Sequence, residues 1–205
     1  MLLGGNLVLI LLSKNKAIIK EYLKPNTNIG FIATASELET NREYMYQDRQ
    51  DLLNMSYYII DIDISKESKQ EIIRKFNDVD VIYVAGGNSF YLLQQLIVKD
   101  VLQELKEFAN NKIYIGSSAG ACIACPSIEY AQKLDDKLQA KLLNTYESMN
   151  LIDFYILPHY KSKEKYTKLA DEIEKEYSSY KFVKLLNNQA IIIKNVSDYK
   201  IVETE

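Results

Sequence analysis

The chain has 205 residues, a length that suits one domain spanning residues 1–205, and its net charge of −3 is too mild to point to a nucleic-acid partner. Hydrophobic residues make up 47% and charged residues 26%, which excludes a disordered chain, and Lys and Glu are interleaved without forming a basic block. The apolar opening lacks a basic leader and runs straight into Ser13-Lys14-Asn15-Lys16, so neither a secretory signal nor a membrane partner is expected, and cytoplasmic residence follows by default.

Six apolar residues at 7–12 suit a buried parallel strand, since a membrane span needs about 20. Further strands are predicted at 29–34, 57–62, 79–85, 113–116, 154–157, 182–186 and 190–194. Helical stretches are expected at 16–23, 37–54, 66–76, 89–99, 101–109, 119–125 and 162–177. The early strands are continuous Val, Ile, Leu and Tyr runs, which indicates burial on both faces. This alternation predicts an α/β fold: a three-layer, mainly parallel sheet with helices on both faces. The last two strands lie close together and read as a hairpin at one edge.

In such sheets chemistry gathers at the carboxyl ends of the strands. The sharpest motif there is Gly116-Ser117-Ser118-Ala119-Gly120, a G-x-S-x-G turn between a strand and a helix of small residues. A serine at such a turn is held strained and exposed, and the amide of Ala119 can point at an oxyanion. A plain glycine turn with a serine N-cap is the bland alternative. The second motif is Gly86-Gly87-Asn88-Ser89-Phe90, also at a strand end. It could supply another oxyanion donor from the Gly87 amide, with Asn88 anchoring substrate or nucleophile. A phosphate cradle is the rival, but neither G-x-x-x-x-G-K-[ST] nor G-x-G-x-x-G is present. The third is His159, the only histidine, after an apolar strand. If Ser118 needs an imidazole from this chain, His159 supplies it. Cys122 and Cys125 lie three apart in an apolar stretch and read as packing, with a redox pair as the alternative. One histidine and two cysteines are too few for a typical zinc site.

These motifs, together with Leu151-Ile152-Asp153-Phe154-Tyr155-Ile156-Leu157-Pro158-His159-Tyr160, closely resemble the aspartyl dipeptidase and cyanophycinase family of serine peptidases. Phe31-Ile32-Ala33-Thr34-Ala35-Ser36 and Cys125-Pro126-Ser127-Ile128-Glu129 extend the likeness from about residue 29 to about residue 195. The resemblance implies a fold similar to the class I glutamine amidotransferase domain, of flavodoxin-like type. It implies exopeptidase activity on short peptides, Asp-X dipeptides among them, without metal or organic cofactor. Ser118 matches the nucleophile, His159 the base, and Gly87 with Ala119 the oxyanion amides.

The family places an acid in a short turn before a late strand, where this chain reads Leu186-Asn187-Asn188-Gln189-Ala190. Asn187 takes that place, with Glu129, Asp135 and Asp136 as alternative acids. A site that has drifted toward a binding or regulatory role is a further alternative. An α/β-hydrolase esterase fits less well, because His159 follows Ser118 by only 41 residues and leaves a long stretch after it. Asn88, Tyr160 and Arg42 are the expected substrate-binding side chains. Arg42 is one of three arginines, with Arg49 and Arg74, and it follows the loop at the catalytic edge. A small peptide is the expected partner, on a monomer or a homodimer.

Overall fold

The computed structural model describes residues 8–195 and 198–203. Apolar runs form the parallel strands β1 (Val8–Leu12), β2 (Asn28–Ile32), β3 (Tyr58–Asp61), β4 (Val81–Val84) and β5 (Ile113–Ser117). Their spatial order is β3-β2-β4-β5-β1. Alternate side chains of a strand point to opposite faces. In β1, Leu9 and Leu11 therefore enter the core on one side of the sheet, and Ile10 and Leu12 the core on the other.

One face is covered by α1 (Glu43–Asn54) and a 3-10 turn at Ala17–Glu21, through Met45, Leu52, Ile18 and Ile19. The other carries α2 (Lys69–Asp78), α3 (Ser89–Val98), α4 (Leu102–Asn111), α5 (Ala119–Cys122) and α6 (Glu164–Glu176). On that same side, β6 (Tyr155–Leu157) and β7 (Phe182–Lys184) form a separate parallel pair. The three-layer α/β arrangement read from the sequence is the one observed. Local chemistry sets the helix starts. Ser68 caps α2 by accepting from the Glu71 amide, while the Glu71 carboxylate accepts from the Ser68 amide at 2.9 Å.

The expected hairpin of residues 182–186 with 190–194 is corrected. β7 instead pairs with β6, and Val183 is buried in the core beneath it. β8 (Gln189–Asn195) pairs antiparallel with β1 and with β9 (Asp198–Glu203), a strand the sequence reading omitted. β9 escaped notice because Asp198, Lys200 and Glu203 point to solvent and break up its apolar content. The expectation that all early strands are buried on both faces fails at β3, an edge strand whose Tyr58 is 58% exposed. The first of the predicted helices is a 3-10 turn, and α1 begins later than expected, after a second 3-10 turn at Thr34–Ser36. The N-terminal residues on which the absence of a leader was read, including Leu7, lie outside the described residues. Among the described residues no helix is long and apolar enough to cross a membrane.

A buried charge network ties the loop after β1 to α1 and β4. Lys16 Nζ lies 2.9 Å from Asp48 Oδ1 and 2.8 Å from Asp51 Oδ2. The fully buried Tyr83 donates its hydroxyl to Asp48 Oδ2 at 3.0 Å. Burial pushes the Asp48 carboxyl up despite the lysine beside it. Burial alone would lower Lys16, but Asp48 and Asp51 together hold it above its ordinary value. Removing one partner of a buried pair strands the other. Lys16→Met should therefore destabilise the fold by about 3–5 kcal/mol. Breaking the exposed Arg49–Asp61 pair with Arg49→Ala should cost about 0–1 kcal/mol, since Asp61 is 60% exposed. Urea midpoints at neutral pH compare the two, and equal shifts would show that Lys16 is not a buried partner.

Candidate active site

Three neighbouring strands end at one place. β4 runs out into Gly86-Gly87, β5 into Ser118, and β1, beside β5, into Ser13. The carboxyl ends of parallel strands are where an open α/β sheet leaves a crevice.

Ser118 joins β5 to α5 with φ 49° and ψ −107°. A residue with a side chain holds such a conformation only when its surroundings impose it. The imposition is steric. A Cβ on Gly116 would lie 2.3 Å from the Gly120 carbonyl oxygen, and one on Gly120 would lie 2.3 Å from that of Val84. Strand and helix thus meet backbone to backbone. The Ser118 amide donates to the Leu12 carbonyl at 2.9 Å, and the Ser118 carbonyl accepts from Ala121 and Cys122, each at 2.9 Å. Oγ is left for His159, whose Nε2 lies 2.9 Å away.

His159 leaves β6 in the left-handed region, φ 63°, and its amide donates to Ser13 Oγ at 2.8 Å. Its Nδ1 lies 2.8 Å from Asn187 Oδ1, in the turn between β7 and β8. An amide oxygen can only accept, so Nδ1 carries the proton and Nε2 is free to accept from the Ser118 hydroxyl. Burial pushes the imidazole below the ordinary 6.5, the Asn187 bond opposes that shift, and the positive charge of Lys14 adds to it. No carboxylate takes part in that balance.

Of the alternative acids, Asp135 and Asp136 are engaged elsewhere. Asp135 Oδ2 accepts from the Ser89 amide at 2.8 Å and the Ser89 hydroxyl at 2.7 Å, and burial pushes this carboxyl up to about 6. Asp136 caps the 3-10 turn at Lys137–Gln139. None of the three forms a described hydrogen bond with His159.

Gly87 has φ 136°, and a Cβ there would fall 2.3 Å from the Ala35 carbonyl, so only glycine fits. Among the described residues neither its amide nor that of Ala119, the first residue of α5, finds an acceptor in the chain. A Cβ on the preceding Gly86 would stand 3.8 Å from Ser118 Oγ, which places this loop beside the hydroxyl.

The expected substrate-binding side chains are placed differently. Asn88 is 5% exposed and fully occupied. Its Oδ1 accepts from the Tyr91 amide, and its Nδ2 donates to the Asp136 carbonyl and Gln139 Oε1. Arg42 precedes α1, with its guanidinium 5.9 Å from the Tyr46 ring centroid and its buried Nε unpartnered among the described residues. Tyr44, two residues on, has its hydroxyl 2.6 Å from Glu39 Oε2 and 3.4 Å from the Gly86 carbonyl. Tyr160 lies between Lys161 and Lys184, at 5.4 and 4.8 Å from its ring. The structure therefore brings together Ser118, His159 and Asn187, with Gly87 and Ala119 beside the nucleophile. It joins Asn88, Arg42 and Tyr160 to none of those three by a described hydrogen bond. Ser13 is the member the sequence reading passed over, although its place at the end of β1 was the available signal. Cys122 and Cys125 are buried and free, and burial pushes the Cys125 thiol up to about 12, as packing residues require. Among the described residues no three His, Cys, Asp or Glu side chains group as metal ligands would.

A family model described as Peptidase family S51 matches residues 9–200. The chain is 37% identical over 172 residues to an uncharacterized peptidase of Pasteurella multocida, covering 83% of each. It is 30% identical over 144 residues to Peptidase E of a Nostoc species, covering 69% of this chain and 56% of that one. Among solved structures, a candidate Peptidase E protein from Listeria monocytogenes superposes with a TM-score of 0.86 at 32% identity, covering 97% of this chain and 98% of that one.

The electrostatics of His159 generate a pH prediction. A base must be neutral to accept a proton, and a lowered pKa keeps it neutral to lower pH. The rate at which a fluorophosphonate phosphonylates the protein should rise with pH through a midpoint below 6.5. Lys14→Gln should move that midpoint upward, because a cation nearby disfavours the imidazolium. A midpoint that stays put in the variant would remove Lys14 from the account.

Proposed function

The chain belongs to peptidase family S51 and is a serine-type peptidase, and from that premise we propose that Ser118 and His159 hydrolyse short peptides from a free amino terminus through an acyl-enzyme. The observation that carries this reading is the 2.9 Å contact between Ser118 Oγ and His159 Nε2, made from a backbone held at φ 49°. Distance and tautomer both suit transfer of the hydroxyl proton to Nε2 as Oγ attacks the scissile carbonyl carbon. The carbonyl oxygen becomes an oxyanion, which accepts hydrogen bonds from the Gly87 and Ala119 amides. On collapse the C–N bond breaks and His159 returns its proton to the departing amine. Water then attacks the ester, giving one proton to His159 while its oxygen bonds to the acyl carbon. The acid leaves as the proton goes back to Ser118.

The preference for short substrates follows the family likeness and the relatives named Peptidase E. Arg42 is the cation assigned to an aspartyl side chain, a reading its place after the loop at the catalytic edge and its unpartnered Nε support. A fluorophosphonate should form a single adduct on Ser118 by peptide mapping, and Ser118→Ala should abolish both labelling and peptide cleavage. Dipeptides should be cut faster than their N-acetylated forms and than internal bonds of proteins. Labelling scattered over other serines, or comparable cleavage of long chains, would overturn the assignment.

A second reading, a slow enzyme whose main work is binding, draws on Asn187. An amide orients the imidazole but leaves the imidazolium without a counter-charge, and the same exchange in a serine protease lowers turnover about 10⁴-fold. Asn187→Asp should raise kcat/KM by about one to three orders of magnitude and shift the base limb upward. A well-folded variant with an unchanged pH–rate profile would remove Asn187 from the catalytic set.

A further inference from the structure

Asparagine poses a problem that a carboxylate does not. Both ends of a carboxylate accept hydrogen bonds, whereas an amide has one accepting end and one donating end of nearly equal shape. If Oδ1 faces His159, Nδ1 keeps its proton and Nε2 accepts from Ser118. If the amide is turned over, Nδ2–H faces Nδ1 and the proton moves to Nε2. That nitrogen then donates to Ser118 Oγ and cannot take its proton. The first state attacks a peptide and the second does not.

We propose that Ser13 is a positioning residue whose hydroxyl holds the Asn187 oxygen toward His159 and so selects the tautomer that the nucleophile needs. Ser13 is 0% exposed. Its Oγ accepts from the His159 amide at 2.8 Å and lies 3.5 Å from Asn187 Oδ1, toward which its hydroxyl can donate. At that length the contact binds weakly. Its force lies in selection, since no other acceptor for this hydrogen is found among the described residues. Turning the amide over would bring a second donor onto Ser13 Oγ and leave the buried hydroxyl hydrogen with nothing to receive it. The rest of the turn is fixed independently, because the Asn15 amide donates to the Asn187 carbonyl at 2.9 Å and the Ser13 amide to the Gln189 carbonyl at 3.3 Å. Backbone bonds thus place residue 187, and the Ser13 hydroxyl decides which way round its amide stands.

The inference rests on the catalytic reading above, yet it can be tested apart from it. The chain has a single histidine, so ¹⁵N NMR of labelled protein reads one imidazole without overlap. The unaltered protein should show the proton on Nδ1. Ser13→Ala should give the Nε2–H form or a mixture, and should slow fluorophosphonate labelling by about tenfold to a hundredfold. In the Asn187→Asp background the same Ser13→Ala change should leave the proton on Nδ1 and slow labelling markedly less than it does beside Asn187, because either carboxylate oxygen accepts. Ser13→Ala also removes the acceptor of the His159 amide, but it does so equally in both backgrounds, so a merely structural role would slow both alike. An Nδ1–H imidazole in Ser13→Ala, or equal losses in the two backgrounds, would overturn the proposal. Thermal melts accompany each variant, and Ser13→Cys, similar in size with a weak donor, takes the place of alanine if that variant fails to fold. Absence of labelling in the unaltered protein would instead count against the nucleophile, while the NMR still decides the tautomer.

Discussion

The backbone at Ser118 holds its strained angles because β5, α5 and β4 approach more closely than any side chain between them would allow. Gly116 lies against the Gly120 carbonyl, and Gly120 lies against that of Val84. With those two contacts in place the chain can leave β5 only by the sharp turn seen, and the nucleophile's hydroxyl is delivered at the crevice rather than into the core. The buried Tyr114 hydroxyl donates to the Gly120 carbonyl at 2.7 Å, which satisfies the carbonyl that the turn would otherwise strand. Everything else at the site is arranged around a position that packing has already decided.

His159 arrives from a different part of the architecture. It is carried by β6, which belongs to a small separate sheet, and its partner Asn187 comes from the turn into β8 on the main sheet. Nucleophile, base and orienting amide are thus brought together by three unrelated segments. The charge network of Lys16, Asp48, Asp51 and Tyr83 braces the loop after β1 from the opposite face, beneath the ends of the same strands. In the crevice itself the polarity is unusual. The imidazole has a lysine in its surroundings and an amide as its partner, so the site favours a neutral base more strongly than one held by a carboxylate.

Much of this was legible in the sequence, for identifiable reasons. β1, β2, β4 and β5 are buried on both faces, so each reads as a mainly apolar run, and their bounds lie within a few residues of those expected. β7 was misplaced because a three-residue strand carries no local sign of which neighbour it will join, and its partner β6 is remote in sequence. β9 was missed because Asp198, Lys200 and Glu203 interrupt its apolar content. At the site, Ser118 and His159 stand out by motif and by uniqueness, and Asn187 by its place in the family pattern. Ser13 could not stand out. A serine at a strand end is commonplace, and its bonds to residues 146 and 174 positions away exist only once the chain has folded. Asn88 misled for the opposite reason. A polar residue beside two glycines looks available for a ligand, but here it caps α3 and anchors the segment at 136–139.

The last two residues around the end of β1 have a mechanical consequence. Leu12 receives the Ser118 amide through its carbonyl, and Ser13 receives the His159 amide through its side chain. Two groups that must stand 2.9 Å apart are therefore gauged from a single dipeptide at the centre of the sheet. Errors of placement accumulate over two short hydrogen bonds, not over the long loops and helices that separate residues 118 and 159 in the chain. The exposed face of α6 can accept substitutions while the tolerance between acid and base is set elsewhere. The centre of the sheet thus serves as the datum from which the reacting atoms take their positions.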